Sequence, residues 1–304
     1  MYNGIINVYK EAGFTSHDVV AKLRGIFGQR KIGHTGTLDP AATGVLPVCL
    51  GQGTKLVDMI TDRSKTYEAR VLLGVTTDTE DTTGQETGRC ELPGEFFDGD
   101  IDTVTARLSA VLAGFIGGYD QIPPMYSAIK KDGKRLYELA REGREIEREA
   151  RRVEIYSIEL TGVELPYFTM RVHCGKGTYI RSLCRDIGAR IGCGACMDSL
   201  CRTQVGRFKL ADSLKLEQLQ KLKNEDGLPE VVIPVDVMFE EYAQVQAEEI
   251  YHRLIKNGNK VSSRVCGELH TPVRMYCDGV FYGIYELDDA KKEYHPVKMF
   301  ACGE

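Results

Sequence analysis

The sequence predicts an α+β protein, with a large first domain over residues 1–227 and a small β-rich second domain over 228–304. Three observations carry that expectation. Strand-like and helix-like stretches are mixed, without the regular βαβ alternation of a doubly wound sheet. Residues 65–73, 152–161 and 167–174 alternate apolar and polar side chains, the period of a half-buried strand. Asn224-Glu-Asp-Gly-Leu-Pro229 then reads as a linker, and short strand-like runs with turn signals follow it.

Taken in order, the first helix opens after the capping hydroxyls of Thr15 and Ser16. It carries Val19, Val20, Leu23, Ile26 and Phe27 on one face and stops at Gly28. Residues 33–44 are too rich in Gly and Pro to be regular. A strand follows, with Tyr67, Ala69, Val71 and Leu73 on one side. Residues 76–102 are acidic and turn-rich, the composition of a surface excursion, and Asp102 is placed to cap a helix bearing Val104, Leu108, Val111 and Leu112. Residues 119–150, which contain Pro123-Pro124 and a strongly charged helical stretch, read as a protruding insertion. After the two alternating runs, Thr178 opens a helix with Ile180, Leu183, Ile187 and Ile191 inward and Gly192 at its end. A further helix is expected near 213–223. In the second domain Asp278-Gly279 between Arg274-Met-Tyr and Val280-Phe-Tyr marks a hairpin.

Composition narrows the class. No run of the 304 residues approaches the roughly 18 apolar residues of a membrane-spanning helix, and Met1 to Lys10 has no leader character, so a cytoplasmic protein with no membrane partner is expected. The ten cysteines are scattered; Cys193 and Cys196 form a CxxC with Cys201 nearby, but no fourth ligand or second pair stands beside them, and no metal site is expected. The net charge of −5 argues against a nucleic-acid partner until it is counted by segment. Residues 171–209 carry eight Lys/Arg against two Asp/Glu, whereas residues 76–102 carry one against nine and residues 225–304 eight against fifteen. A basic groove for phosphates is therefore compatible with an acidic protein.

Several chemistries find no motif. There is no GxxxxGK[ST], despite Gly51-Gln-Gly-Thr-Lys55 and Gly175-Lys-Gly-Thr178, no GxGxxG between strand and helix, no HExxH and no GxSxG. Asp39 stands out instead. Pro40 biases it away from helical backbone, and the surrounding glycines let the chain approach a ligand closely. A carboxylate ionises near pH 4 in water (about 3.9 for Asp) and needs no activating base to act at a sugar carbon. An isolated Asp-Pro in a loop is otherwise a turn or a cap.

The segment Gly33-His-Thr-Gly-Thr-Leu-Asp-Pro-Ala-Ala-Thr-Gly-Val-Leu-Pro47 closely resembles the catalytic motif of the TruB family of pseudouridine synthases. Lys65-Thr-Tyr-Glu-Ala69, Leu73-Gly74 and Thr77-Asp78-Thr79 resemble the family too, as do Gln121-Ile-Pro-Pro-Met-Tyr-Ser-Ala-Ile-Lys130, Gly133, Tyr137, Ala140 and Arg141 in the insertion. Cys174-Gly-Lys-Gly-Thr-Tyr-Ile-Arg-Ser-Leu183 and Leu200-Cys-Arg-Thr203 complete a set that runs in family order from about residue 3 to 208. Lys10-Glu11 departs from the family's usual Lys-Pro.

The resemblance implies a mixed or antiparallel catalytic sheet with a small PUA-like C-terminal domain. It implies isomerisation of a uridine in the T-arm of tRNA, conventionally position 55, with no cofactor and no obligatory protein partner. By residue, it implies that Asp39 is the catalytic acid, that Tyr67 stacks on the target base and helps the final proton removal, and that Arg181 pairs with Asp39. His34, Tyr179, Leu200, Lys10, Arg141 and Arg202 would bind substrate. Two other readings share these features: an RNA-guided catalytic subunit, which needs protein partners, and a non-catalytic tRNA-binding or folding module. The base must leave its stack before it reacts, at a cost of a few kcal/mol. The expected sources of compensation are phosphate contacts from residues 171–209 and a basic flap between Lys130 and Arg152, nine Lys/Arg against six acids.

Overall fold

A computed structural model describes residues 1–131, 133–265 and 272–300. The chain is α+β, built on one large sheet and one smaller one. Seven strands make the path of the large sheet: β1 (Gly4–Lys10), β2 (Thr43–Leu50), β3 (Lys65–Leu73), β4 (Gly117–Gln121), β5 (Arg151–Glu164), β6 (Tyr167–Cys174) and β7 (Ala195–Val205). Their spatial order is β1-β2-β7-β3-β6-β5-β4. Every neighbouring pair is antiparallel except β2 and β7, which run parallel and meet only at Thr43–Cys201 and Gly44–Arg202.

Helix α1 (Ser16–Phe27) forms where the sequence places it. The Thr15 hydroxyl accepts from the Asp18 backbone N–H while the Asp18 carboxylate accepts from that of Thr15, and Gly28 ends the helix at φ 63°. Its apolar face packs on Ile6, Val8, Leu46, Val48 and Leu50. The opposite faces of β1 and β2, through Ile5, Val45 and Cys49, meet Val235, Met238, Phe239, Ile284 and Phe300. Burial on both sides explains why Gly44–Leu50 is almost unbroken in its apolarity rather than alternating. By contrast β3 is buried on one side only. Tyr67, Ala69, Val71 and Leu73 pack beneath α2 (Ile101–Ala113) and a later helix, while Glu68 lies outward in an ion-pair ladder with Arg171 and Glu159.

Three local expectations are corrected. The cap of α2 is Asp100, whose carboxylate accepts from Thr103 N, so the helix begins earlier than Asp102 suggests. Of the charged helical stretch expected in the insertion, only the short α3 (Leu136–Arg141) is helical; it follows a ladder of Lys130–Lys131 with Lys134–Arg135, around a small core of Met125, Leu136 and Leu139. Helix α4 (Ile180–Ile191) opens at Tyr179, because the Thr178 hydroxyl donates instead to the Gly175 carbonyl.

Helix α5 (Leu216–Asn224) covers α1. Past the expected 227/228 boundary the chain stays with the large sheet. Leu228 lies in the α1 cluster, and Ile5 and Ile233 exchange backbone hydrogen bonds of 2.8 and 2.9 Å, lining the outer edge of β1. The second sheet starts only at β8 (Ala243–Gln246) and continues, after α6 (Glu249–Lys256), through β9 (Val261–Ser262), β10 (Val273–Cys277), β11 (Val280–Asp288) and β12 (Glu293–Met299), in the order β8-β10-β11-β12-β9. Asp278 and Gly279 turn the expected hairpin with φ 51° and 75°. Among the described residues no helix is long and apolar enough to cross a membrane.

Candidate active site

The loop that carries Asp39 leaves the large sheet beside its parallel seam. At that seam Gly44 pairs with Arg202 at φ 109°, and a Cβ on Gly44 would overlap the Arg202 backbone. Only glycine lets the two strands meet here. The loop is then tied down at each step. Thr35 bonds the Pro47 carbonyl through both its N–H and its hydroxyl, Leu38 N donates to the Ser16 hydroxyl at 3.0 Å, and Gly13 N donates to the Pro40 carbonyl at 2.9 Å. Asp39 itself begins a turn, its carbonyl accepting from Ala42 N at 3.1 Å with Pro40 second in the turn. Its backbone is thus fixed by the protein, and its carboxylate is left half-open to solvent at 39% exposure.

Arg181, in the first turn of α4, takes hold of that carboxylate. Its Nε lies 3.0 Å from Asp39 Oδ2, and Nη2 donates to Oδ1 at 3.3 Å. The remaining donors reach the Thr79 carbonyl at 2.9 Å and the Tyr126 carbonyl at 2.8 Å, and Asp81 stands 3.8 Å from Nε. The guanidinium is buried, with 6% of the side chain exposed, so screening by water is small and the fork geometry is strongly enforced. Glu80 beneath it, at φ 63°, is held by Ser182 at 2.6 Å and by Arg185.

Of the other expected residues, Tyr67 and Tyr179 lie near enough to Asp39 for its charge to act on both phenols. Tyr67 is buried, and desolvation raises its phenol, disfavouring the phenolate, with Arg202 opposing. Tyr179 is also raised by burial. Gln121 clasps its backbone from both sides, accepting from its N–H at 2.8 Å and donating to its carbonyl at 3.0 Å. Leu200 is half-buried on β7 against the main core. His34, at the start of the loop, packs edge-on against His17 at 5.1 Å; burial first, then the charges of His17 and Arg202, depress its pKa. Arg141 lies elsewhere, exposed on α3 and 5.5 Å over the Tyr137 ring.

The substrate-binding assignments of Lys10 and Arg202 are corrected by their burial. Lys10 is fully buried and gives its ammonium to the carbonyls of Ala42 (2.6 Å), Pro40 (3.1 Å) and Glu11 (3.2 Å). Desolvation lowers its pKa to about 8, with Asp39 opposing. Arg202, 1% exposed, donates to the carbonyls of Val45 (2.8 Å) and Gly36 (3.3 Å). Both cations therefore brace the Asp39 loop from behind and have no path to a phosphate. The sequence reading also missed Asp81, Glu80 and the Tyr126 carbonyl. The one signal available was Thr77-Asp78-Thr79, which leads straight into Glu80-Asp81 but sits in a stretch whose acidity reads as solvated surface. A cavity of about 810 Å³ lined by Leu72, Gly74, Cys90 and Tyr167 lies at the opposite end of β3 and holds none of these residues. Among the described residues no group of His, Cys, Asp and Glu could hold a metal, and Cys193 and Cys196 are buried free thiols.

Comparison with known proteins gives this arrangement its class. Residues 24–180 match the N-terminal domain of TruB family pseudouridylate synthases, and residues 181–240 match the C-terminal domain of tRNA pseudouridylate synthase B. The chain is thus an isomerase of the pseudouridine synthase class. Among its relatives, a protein named tRNA pseudouridine synthase B from Lachnoclostridium phytofermentans is 49% identical, over 98% of this chain and 99% of its own. One of the same name from Alkaliphilus oremlandii is 40% identical over 96% of each chain. Among solved structures, a chain of a Cbf5-Nop10-Gar1 complex superposes with a TM-score of 0.70 at 26% identity, over 98% of this chain and 85% of its own. The chain belongs to the TruB family.

Proposed function

We propose that this enzyme converts uridine to pseudouridine in the T-arm of tRNA, at position 55, with Asp39 as its catalytic carboxylate. The name shared by its relatives, tRNA pseudouridine synthase B, supports the choice of tRNA. The observation that carries the assignment of Asp39 is its posture: a carboxylate open to solvent on one side and gripped by a buried arginine on the other. In the reaction the N1–C1′ bond breaks, uracil turns, C5 bonds to C1′, and the C5 proton is lost, so atoms and electrons balance within the nucleotide itself. Asp39 acts at the ribose while the Tyr67 ring supports the base; the neutral Tyr67 hydroxyl, whose ionisation burial disfavours, serves as a hydrogen-bonding group, and the C5 proton passes to solvent while N1 takes one up.

The test is tritium release from tRNA labelled at uracil C5, at single turnover, with pseudouridine mapped by position. Asp39→Asn keeps shape and removes charge, and should slow release by at least about 10³-fold while tRNA affinity, spread over many phosphates, stays within a few-fold. Turnover by Asp39→Asn near the unmodified rate removes the assignment, and product at another position removes the T-arm.

A further inference from the structure

Arg181 is held on one side by the turn at 79–81. The Thr79 carbonyl accepts from its Nη1 at 2.9 Å, and the Asp81 carboxylate stands 3.8 Å from its Nε. Glu80, between them, sends its side chain to two other residues of α4. Oε2 accepts from the Ser182 hydroxyl at 2.6 Å, and Oε1 pairs with Arg185. The Glu80 backbone is engaged as well, its carbonyl accepting from Met197 N of β7 at 3.0 Å. One residue thus ties the turn to the sheet through its main chain and to α4 through its side chain.

The arrangement is costly. Glu80 is 8% exposed and takes φ 63°, the left-handed region that suits glycine or asparagine, yet the residue there is long and charged. A buried ion pair is weak ground for stability, because desolvation offsets much of its attraction. Strain of this kind gathers where a site must be held in one arrangement. Arg181 and Arg185 stand one helical turn apart, and each spans from the turn to the base of the insertion. Arg181 reaches from Thr79 to the Tyr126 carbonyl at 2.8 Å, and Arg185 from Glu80 to the Ile122 carbonyl at 3.0 Å. We propose that Glu80 is a positioning residue: its clasp on Ser182 and Arg185 locks the turn against α4, so that Thr79 and Asp81 hold the Arg181 fork on Asp39. The inference rests on the reading of Asp39 as the catalytic carboxylate.

The experiment compares Glu80→Gln and Glu80→Asn with the unaltered full chain, by single-turnover tritium release from unmodified tRNA. Glutamine keeps the reach, its carbonyl accepting from Arg185 while its amide donates to Ser182. Asparagine suits the left-handed backbone but is one methylene short. At saturating enzyme, folded Glu80→Asn should slow about tenfold, a part of the roughly 10²-fold that a 1 Å misplacement costs, whereas Glu80→Gln stays within about threefold. The enzyme concentration giving half the maximal rate should change by less than about twofold in both, since affinity comes from phosphate contacts made elsewhere. In an Arg181→Lys background Glu80→Asn should slow the reaction no further, because the fork it serves is already lost; a merely structural residue would add its full effect there. Arg185 keeps Asp186 at 2.8 Å, so the shorter side chain leaves no bare cation, and Glu80→Gly takes the place of a Glu80→Asn that does not fold. An unchanged rate in the folded variant, a Glu80→Gln no faster than Glu80→Asn, a full further fall in the Arg181→Lys background, or failure of both Glu80→Asn and Glu80→Gly to fold each overturns the proposal. Asp39→Asn run beside them keeps the two ideas apart: its inactivity with full activity of Glu80→Asn rejects only the glutamate, whereas its activity rejects the underlying site.

Discussion

Replacing Arg181 with lysine separates the geometry of the site from its charge. Lysine keeps the cation but presents its donors from a single point, whereas the guanidinium spans four acceptor atoms: both Asp39 oxygens and the carbonyls of Thr79 and Tyr126. An ammonium placed at Asp39 abandons both carbonyls, each worth about 1 kcal/mol and more if it stays dry, so stability should fall by roughly 2–3 kcal/mol. Freed from the fork, the Asp39 side chain can shift by about 1 Å, a displacement that costs on the order of 10²-fold in rate. The assay is rapid-quench tritium release at saturating enzyme, with urea unfolding of the same preparation to count the folded fraction. Two results refute the reasoning: an Arg181→Lys enzyme with unaltered turnover, or one whose lost turnover equals its unfolded fraction.

Gly44→Ala should collapse stability by more than about 3 kcal/mol, because φ 109° and the Arg202 backbone leave no room for a Cβ. Gly177→Ala, at φ 81° with open space around it, should cost only about 1–2 kcal/mol; thermal melts compare the two. Lys10 titrates near 8 in the fold and near 10.5 when exposed, so between these values the unfolded chain binds more protons and folding strengthens as pH rises. Melting temperatures from pH 8 to 10 should therefore rise for the parent relative to Lys10→Met, and a constant difference would remove the buried ammonium. A chain cut after Gly227 should unfold or aggregate, because it uncovers Ile5 and the α1 core, whereas one cut after Glu240 keeps the Ile233 pairing; far-UV circular dichroism and gel filtration distinguish them.

How much of this was legible depended on the range of the interactions. α1 could be read because its cap, its apolar stripe and its glycine stop are all local. The Asp-Gly hairpin and the alternation of β3 were legible for the same reason. Asp39 and Arg181 were legible through resemblance, since nothing local brings residues 142 positions apart into one ion pair. The boundary at 227 misled because Asn224 to Pro229 has the composition of a linker, while the pairing that retains the next segment is made by Ile5, at the far end of the chain. Lys10 and Arg202 misled because a cation in sequence gives no sign of whether carbonyls or water surround it.

Burial also changes where RNA affinity must come from. The surplus of basic residues between 171 and 209 looked like a phosphate groove, but three of its eight members, Arg181, Arg185 and Arg202, are turned into the protein, while Arg171, Lys176, Arg190, Arg207 and Lys209 stay exposed. Arg181 and Arg185 neutralise Asp39, Asp81 and Glu80, Arg202 braces a loop, and Arg207 is held by Glu240 and the Val237 carbonyl. The acidic stretch before residue 102 is thus partly the internal counterweight of the basic one, which is how an overall charge of −5 accommodates an arginine-lined site. Outward-facing cations gather on the insertion as well, where Lys130, Lys131, Lys134, Arg135, Arg141 and Arg144 are all exposed. Their neighbours, Glu142 among them, form only surface pairs that phosphate can displace at little cost. The exposed cations of the insertion stand on an element whose base is fastened to Arg181, the same side chain that grips Asp39.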